Sequence, residues 1–199
     1  MLLLSGGFDS PVAGHMMKER GLDLRGVHYS LEPVTDDAST RKSVQLAQIL
    51  GIPGLAVVRV GQVFGEIASK CAHRYYFVLS KRLMIRIACA LAKEEGCDLL
   101  VTGENLGQVS SQTMQNLAVI DEASTLPVVR PLIGFDKQEI INRAQLIGTH
   151  DVSIGPEICD LLGPDRPATW APLAAIHAEE SKLDLPRLLD AALATRTKA

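Results

Sequence analysis

Two consecutive glycines framed by serines stand near the start of the chain, in the six residues Ser5-Gly6-Gly7-Phe8-Asp9-Ser10. The apolar run Leu2-Leu3-Leu4 comes directly before them, and a stretch with helical character begins near Ser10-Pro11. Consecutive glycines let an anion approach the main chain, serine hydroxyls can donate to its oxygens, and the N terminus of a helix attracts negative charge. The pattern therefore predicts a strand, a tight turn and a helix start that together cradle a phosphate group.

Short apolar segments alternate with amphipathic segments along most of the 199 residues. We expect strands at 2–4, 24–30, 55–60, 99–102 and 127–130, and helices at 11–19, 39–50, 76–95, 109–120 and 137–147. This alternation predicts an α/β fold with a doubly wound, parallel, five-stranded sheet, whose ligand binds at the carboxyl ends of the strands where the strand order reverses.

The length and composition of the chain favour a single compact unit. We expect the catalytic or binding domain to span residues 1–170, and residues 171–199 to form a C-terminal helical extension of the same domain. Two short helices are predicted between Leu173 and Leu193, and they could either cap the sheet or serve as the contact of a homodimer.

The formal net charge of −3 offers nucleic acid no overall attraction, so any RNA contact must be local. Residues 67–93 contain no Asp or Glu, and they form either a solvated cationic face or a phosphate-binding face. No apolar run is long enough to span a membrane and Met1–Leu4 is too short for a signal peptide, which predicts a cytoplasmic protein without membrane contact. In that reducing compartment the four cysteines are expected to be thiols, with structural roles for Cys71, Cys89 and Cys97.

Three further segments extend the pattern of the glycine turn. They are Thr102-Gly103-Glu104-Asn105-Leu106-Gly107-Gln108 with its continuation to Thr113, Arg130-Pro131-Leu132-Ile133-Gly134-Phe135-Asp136-Lys137, and Pro156-Glu157-Ile158-Cys159. Together with Ser5–Ser10, and in this order over roughly residues 1–170, they resemble the PP-loop catalytic domain of the tRNA 4-thiouridine synthetase (tRNA sulfurtransferase, ThiI) family. The resemblance implies a PP-loop ATP pyrophosphatase fold and an enzyme that releases AMP and pyrophosphate.

The resemblance also implies the positions that contact ATP and those that act in catalysis. The residues implied to bind ATP are Leu3, Leu4, Ser5, Gly6, Gly7, Asp9, Ser10, His28, Tyr29, Lys81, Gly103 and Gln112. The catalytic residues implied are Asp9, Lys137 and Cys159, with Asp9 as the carboxylate best suited to hold Mg²⁺ near the phosphates. Taken alone, Asp9 reads as a helix cap, His28 as a satisfied side chain at a strand end, and Lys137 as an exposed lysine in a first helical turn.

The chemistry implied by the family replaces an oxygen of uridine with sulfur. ATP would adenylate the C4 carbonyl of a uridine in tRNA, and a persulfide on Cys159, loaded by a cysteine desulfurase, would then displace AMP. A nearby cation such as Lys137 would favour the ionised sulfur. In this family thiolation can also feed thiamine biosynthesis.

The chain departs from the family pattern at several points. Full-length members carry an RNA-binding THUMP region before the loop and some end in a rhodanese domain, so we expect tRNA capture to need a separate RNA-binding region or protein. Members that hold an iron–sulfur cluster have a C-x-x-C pair at the positions of Phe77 and Ser80, and its replacement predicts no cluster and no metal other than Mg²⁺.

Two other functions are compatible with the same loop. An amide-forming PP-loop ligase would use ammonia as the nucleophile and would not need Cys159. A non-catalytic adenine-nucleotide-binding module would bind ATP without releasing pyrophosphate. The combined presence of Asp9, Lys137 and Cys159 favours the sulfurtransferase, because a pure binding module would need none of them together.

Overall fold

A computed structural model describes residues 1–106, 112–155 and 161–199 of the chain. The strands are β1 (Leu2–Leu3), β2 (Gly26–Ser30), β3 (Leu55–Arg59), β4 (Leu100–Val101), β5 (Val128–Val129) and β6 (Thr197–Lys198). The helices are α1 (Asp9–Glu19), α2 (Ala38–Ile49), α3 (Gly61–Lys70), α4 (Tyr76–Glu94), α5 (Met114–Asp121), α6 (Lys137–Leu146), α7 (His150–Ser153), α8 (Leu173–Glu180) and α9 (Leu185–Leu193). A short 3-10 helix, His73–Tyr75, leads into α4.

The six strands form one sheet with the order β5-β4-β1-β2-β3-β6. The first five are parallel to their neighbours, whereas β6 pairs antiparallel with the edge strand β3. The predicted α/β fold with a parallel sheet is confirmed, but the predicted count of five strands is wrong. The sixth strand has only two exposed polar residues and no apolar alternation, so nothing local in the sequence distinguishes it from a chain end.

Helices cover both faces of the sheet, as the doubly wound prediction requires. Successive strand residues point to opposite faces, so Val58 packs in a core with α3, α4, α5, α8 and α9, while Val57 packs in a second core with α1, α2 and α6. β1 lies between β2 and β4, so the strand order reverses between β1 and β4. The loops that follow these two strands therefore meet at the switch point of the sheet.

Two helices were not predicted, and one predicted helix begins later than expected. α3 contains Gly65 in its interior, and glycine weakens a helical pattern because it gains the most freedom on unfolding. α7 has only four residues, too few for a periodic signal. The helix predicted at 109–120 is observed from Met114, and the segment 107–111 lies outside the described residues.

The C-terminal helices pack on the same layer as α4 through a buried ion pair. The Arg82 side chain is 1% exposed, and its Nε and Nη2 donate to the Glu180 carboxylate of α8 at 2.8 and 2.9 Å. Arg86 donates to the same carboxylate at 2.7 Å. Ile176 of α8 and Leu188 of α9 complete the contact with fully buried side chains. Both interpretations of residues 67–93, a solvated face and a phosphate-binding face, are therefore wrong for Arg82, because this arginine is a partner of the tail.

No helix in the described part of the chain combines the length and the apolar character needed to cross a bilayer.

Candidate nucleotide-binding site

The turn between β1 and α1 is closed by its two serines. The Ser5 amide donates to Ser10 Oγ at 2.8 Å, and the two hydroxyl oxygens lie 3.1 Å apart. The Gly7 amide donates to Ser5 Oγ at 3.3 Å. α1 begins directly afterwards, with Phe8 at its N-cap, a residue whose side chain offers no acceptor to the first helical amides. The turn thus presents glycine backbone and the positive end of a helix at the switch point, which suits an anion.

The loop after β4 lies against this turn at van der Waals distance. A Cβ atom added to Gly103 would lie 2.5 Å from the Ser10 amide nitrogen and 2.7 Å from the Asp9 carbonyl carbon. Only glycine fits there, because the obstacle is backbone and cannot rotate away. Two of the sequence motifs, far apart in the chain, are therefore in direct contact.

A carboxylate that is only 12% exposed follows that glycine. Glu104 accepts hydrogen bonds from Lys81 Nζ and from Arg130 Nε, both at 2.8 Å, and from the Thr102 hydroxyl at 3.2 Å. Arg130 in turn donates to both oxygens of Asp121, at 2.8 and 2.5 Å. Burial alone would raise the pKa of Glu104, but the charges of Lys81 and Arg130 outweigh it and lower the pKa to about 2. Glu104 is thus ionised at neutral pH and holds the Lys81 ammonium at the edge of the site.

His28 and Tyr29 at the end of β2 are both fixed by hydrogen bonds. His28 is 3% exposed, and its Nδ1 lies 3.0 Å from the Leu4 carbonyl oxygen and 2.9 Å from Ser43 Oγ. Burial lowers the pKa of His28 despite the opposing effects of the Leu4 bond and the Glu32 charge, so the ring is neutral at pH 7. The Tyr29 hydroxyl donates to the Met84 carbonyl of α4 at 2.6 Å, and burial raises its pKa well above 10.

Four buried polar side-chain atoms have no partner among the described residues, and two of them are Oγ1 of Thr40 on α2 and Oγ of Ser80 on α4. The other two belong to residues that the family resemblance implies for ATP: Nε2 of His28 and Oε1 of Gln112, the residue that directly follows the gap at 107–111. A buried polar atom without a hydrogen bond costs free energy, so Nε2 of His28 and Oε1 of Gln112 are candidates for contact with a ligand.

The other residues that the family resemblance implies for ATP binding or catalysis are spread over several elements. Leu3 is half-buried on β1, and Asp9 is half-buried as the first residue of α1. Lys137 is exposed at the first position of α6, behind the capping box formed by Asp136 and Glu139. Within the described residues, no hydrogen bond or ion pair joins the Lys137 side chain to the glycine turn, although α6 packs against α1. Cys159 lies outside the described residues.

Sequence reasoning assigned no role to Glu104 or Arg130, which the structure joins to Lys81. A signal was present for Glu104, because an acidic residue directly after a strand-end glycine has to be solvated or paired. Its partners come from α4 and from the end of β5, so only the assembled sheet reveals them.

The described cysteines are free thiols, and they do not approach a metal-binding arrangement. Cys71 and Cys97 are half-buried and Cys89 is buried. In the parts of the chain that the structure covers, no three His, Cys, Asp or Glu side chains converge in a way that could hold a metal ion. The lack of an iron–sulfur cluster stays a prediction, since residues 156–160 are not covered.

A glycine- and serine-lined turn at the switch point of a doubly wound sheet, packed against a second glycine loop, defines an α/β domain of the PP-loop type. The family model described as thiamine biosynthesis protein (ThiI) matches residues 1–185, and the chain belongs to this family. The probable tRNA sulfurtransferases of Moorella thermoacetica and Alkaliphilus oremlandii are 43% and 44% identical over 95% and 97% of this chain. The matches cover 50% and 51% of those relatives, so the chain spans about half their length.

Solved structures agree with this assignment. The crystal structure of a 4-thiouridine synthetase–RNA complex with bound ATP superposes with a TM-score of 0.92 and 37% identity, covering all of this chain and 54% of that one. The U34-tRNA thiolase NcsA of Methanococcus maripaludis, described with its [4Fe-4S] cluster, has a TM-score of 0.53 and 19% identity, over 94% of this chain and 70% of that one. At that identity the likeness shows the fold alone.

Proposed function

We propose that this chain is the ATP-dependent catalytic unit of a tRNA sulfurtransferase, which forms 4-thiouridine and releases AMP and pyrophosphate. The observation that carries the proposal is the junction at the switch point, where the Ser5–Ser10 turn, Gly103 and the Lys81–Glu104 pair come together. The names of the relatives and the bound ATP and RNA of the most similar solved structure described above support the same chemistry. The link to thiamine biosynthesis is part of the proposal through the family description.

In this proposal ATP lies across the carboxyl ends of β1, β2 and β4. Its pyrophosphate end meets the Ser5–Ser10 turn and Lys81, while its adenosine end meets Leu3, Leu4, His28 and Tyr29. The buried Nε2 of neutral His28 would accept a hydrogen bond from an adenosine N–H or O–H group. Oε1 of Gln112 would likewise accept a hydrogen bond from the nucleotide. Asp9, a carboxylate at the start of α1, suits Mg²⁺, which often binds through one carboxylate and the phosphates of its substrate and would neutralise their charge.

The reaction begins with two bond exchanges. The C4 oxygen of uridine bonds to the α-phosphorus of ATP, the bond to pyrophosphate breaks, and the N3 proton leaves. The terminal sulfur of a Cys159 persulfide then bonds to C4 and AMP departs, with Lys137 as the cation that offsets negative charge on the departing phosphate. C4 is at that stage joined through sulfur to Sγ of Cys159.

Release of the product needs a thiol as reductant. That thiol attacks Sγ of Cys159, the electron pair of the broken S–S bond stays on the sulfur of uridine, N3 regains a proton, and the thiol ends in a disulfide with Cys159. The described cysteines suit this step poorly. Burial raises the pKa of Cys71 to about 11, a change that its carboxylate neighbour Glu179 reinforces, and Cys89 is buried. The reductant is therefore proposed to be an external thiol.

The test incubates the chain with ATP, excess tRNA, cysteine and a cysteine desulfurase, and measures 4-thiouridine, AMP and pyrophosphate. Equal amounts of AMP and 4-thiouridine are expected. Cys159→Ser should abolish thiolation and keep ATP binding, whereas the matched variant Cys97→Ser should retain both. Thiolation by Cys159→Ser would refute the role of that cysteine.

Other products would point to the alternative functions. An ammonia-dependent amide product without thiolation would identify a ligase. ATP binding without pyrophosphate release from any substrate would identify a binding module. Cytoplasmic location, supply of sulfur by a desulfurase and homodimer formation remain predictions of the sequence.

A further inference from the structure

Lys42 of α2 lies beside the glycine turn, although the turn itself contains no lysine. A Cβ atom added to Gly6 would lie 3.4 Å from both Cβ and Cδ of Lys42 and 3.8 Å from the Ser39 carbonyl oxygen. The aliphatic stem of Lys42 therefore runs along the first glycine of the turn. α2 thus brings a cation to a site whose own six residues carry only the negative charge of Asp9.

The ammonium of Lys42 is bonded to a neutral acceptor. Its Nζ donates to the Ile154 carbonyl oxygen at 2.8 Å. A Cβ atom added to Gly155 would lie 3.0 Å from the same Nζ. Among the described residues no carboxylate forms an ion pair with Lys42, whereas Lys81 is paired with Glu104. An ammonium has three N–H donors, so two remain after the bond to Ile154. The positive charge of Lys42, which lies against Gly155 at the end of a stem that passes Gly6, is therefore not neutralised by a described carboxylate.

The segment that Lys42 holds is attached to the same turn by two further contacts. Ser153 Oγ donates to the Gly7 carbonyl oxygen at 3.2 Å. The rings of His150 and Phe8 lie 5.5 Å apart. Residues 150–155 are thus anchored on the glycine turn by a ring contact, a hydroxyl and the ammonium of Lys42. A shift of the turn would therefore displace this segment, and a shift of the segment would displace the turn.

We infer that Lys42 is a positioning residue for the phosphates of the nucleotide. Its charge attracts the phosphates to the glycine turn, and its bond to Ile154 keeps residues 150–155 packed against that turn while the phosphates are bound. The inference rests on the proposed function only in taking ATP as the ligand. A hydrogen bond from an ammonium to a phosphate is stronger than one to a neutral carbonyl, so the two remaining donors of Lys42 gain most from an anion.

Binding measurements with Lys42→Met test this inference without tRNA or sulfur. Titration calorimetry on the full chain compares ATP, inorganic pyrophosphate and adenosine, each with Mg²⁺. The affinities for ATP and pyrophosphate are expected to fall about tenfold, the effect of losing one charged hydrogen bond, and the affinity for adenosine is expected to stay the same. Lys42→Arg should recover most of the loss, since it restores the charge.

A matched control and a folding check separate this role from a structural one. Lys18→Met removes a comparable bond, which runs from Lys18 Nζ to the Leu50 carbonyl oxygen at 2.5 Å. Lys18 lies in the last turn of α1, at the end away from the glycine turn, so this variant should leave all three affinities unchanged. If Lys42 has only a structural role, Lys42→Met will lower the affinities for adenosine and ATP together or will change neither affinity. Either result overturns the inference. Circular dichroism shows whether Lys42→Met is folded, and Lys42→Gln replaces it if it is not.

The outcomes also separate this inference from the proposed function. A chain that binds pyrophosphate through Lys42 but forms no 4-thiouridine would refute the sulfurtransferase and leave the role of Lys42 intact. If the wild-type chain thiolates tRNA but Lys42→Met binds pyrophosphate normally, the role of Lys42 is refuted and the sulfurtransferase proposal stands. A wild-type chain that binds neither ATP nor pyrophosphate would overturn both.

Discussion

Replacing Glu104 with glutamine is expected to destabilise the fold by about 3 kcal/mol at pH 7, because this carboxylate is ionised, largely shielded from solvent and bonded to two cations. The glutamine has nearly the same shape, so the change isolates the charge. One of its two terminal atoms is an amide nitrogen, which would face a donor of Lys81 or Arg130. The lost attraction and the opposed donors therefore act in the same direction.

The magnitude follows from the pKa of Glu104. Its value falls from the usual 4.5 to about 2 in the folded protein, and each unit corresponds to about 1.4 kcal/mol. Because the folded pKa lies below the unfolded one, the stabilisation is fully present above pH 4.5 and is lost as the pH falls towards 2. The glutamine variant lacks this contribution at every pH. The difference between the two proteins should therefore be constant from pH 7 to about 5 and should shrink at lower pH.

Urea unfolding, followed by circular dichroism at pH 7, 5, 4 and 3, measures this difference. Glu94→Gln is the matched control, because the Glu94 carboxylate is 53% exposed and pairs with Arg196 at the surface. That variant should lose no more than about 1 kcal/mol. Equal stability of Glu104→Gln and wild type at pH 7, or a difference that does not shrink at low pH, would refute the account of this cluster.

Three further predictions concern the tail, the contact of the two loops, and the buried histidine. Glu180→Ala should lower the free energy of unfolding by about 3–5 kcal/mol in urea titrations, because it leaves Arg82 buried without its main partner. Gly103→Ala should weaken ATP binding more than tenfold in calorimetry, since its Cβ would displace the Ser10 backbone. The free energy of unfolding of the wild type should also decrease as the pH is lowered from 6.5 towards the lowered pKa of His28, because in that range the unfolded chain binds a proton that the buried ring does not. His28→Gln should abolish this loss, as urea titrations at each pH would measure.

The elements with strong local signals were predictable from the sequence. The run Leu2-Leu3-Leu4 followed by two glycines could hardly form anything except a strand and a turn, and the alternation of apolar segments then determined the parallel sheet. The antiparallel strand β6 was not predictable, because its two residues acquire a strand conformation only by pairing with β3. The same holds for Lys42 and Ser153, whose contacts with the turn join residues that are far apart in the chain.

The basic residues of α4 show why charge patterns in a sequence do not assign partners. Lys81 and Arg82 are neighbours, but successive residues on a helix point about 100° apart, so they face different surroundings. Lys81 reaches Glu104 at the switch point, whereas Arg82 reaches Glu180 of the tail. The Glu180 carboxylate is buried and Glu104 is only 12% exposed, so each would destabilise the fold without its cation. One helix thus carries, side by side, a cation at the candidate site and the cation that attaches the C-terminal helices, so the tail supports the helix that positions Lys81.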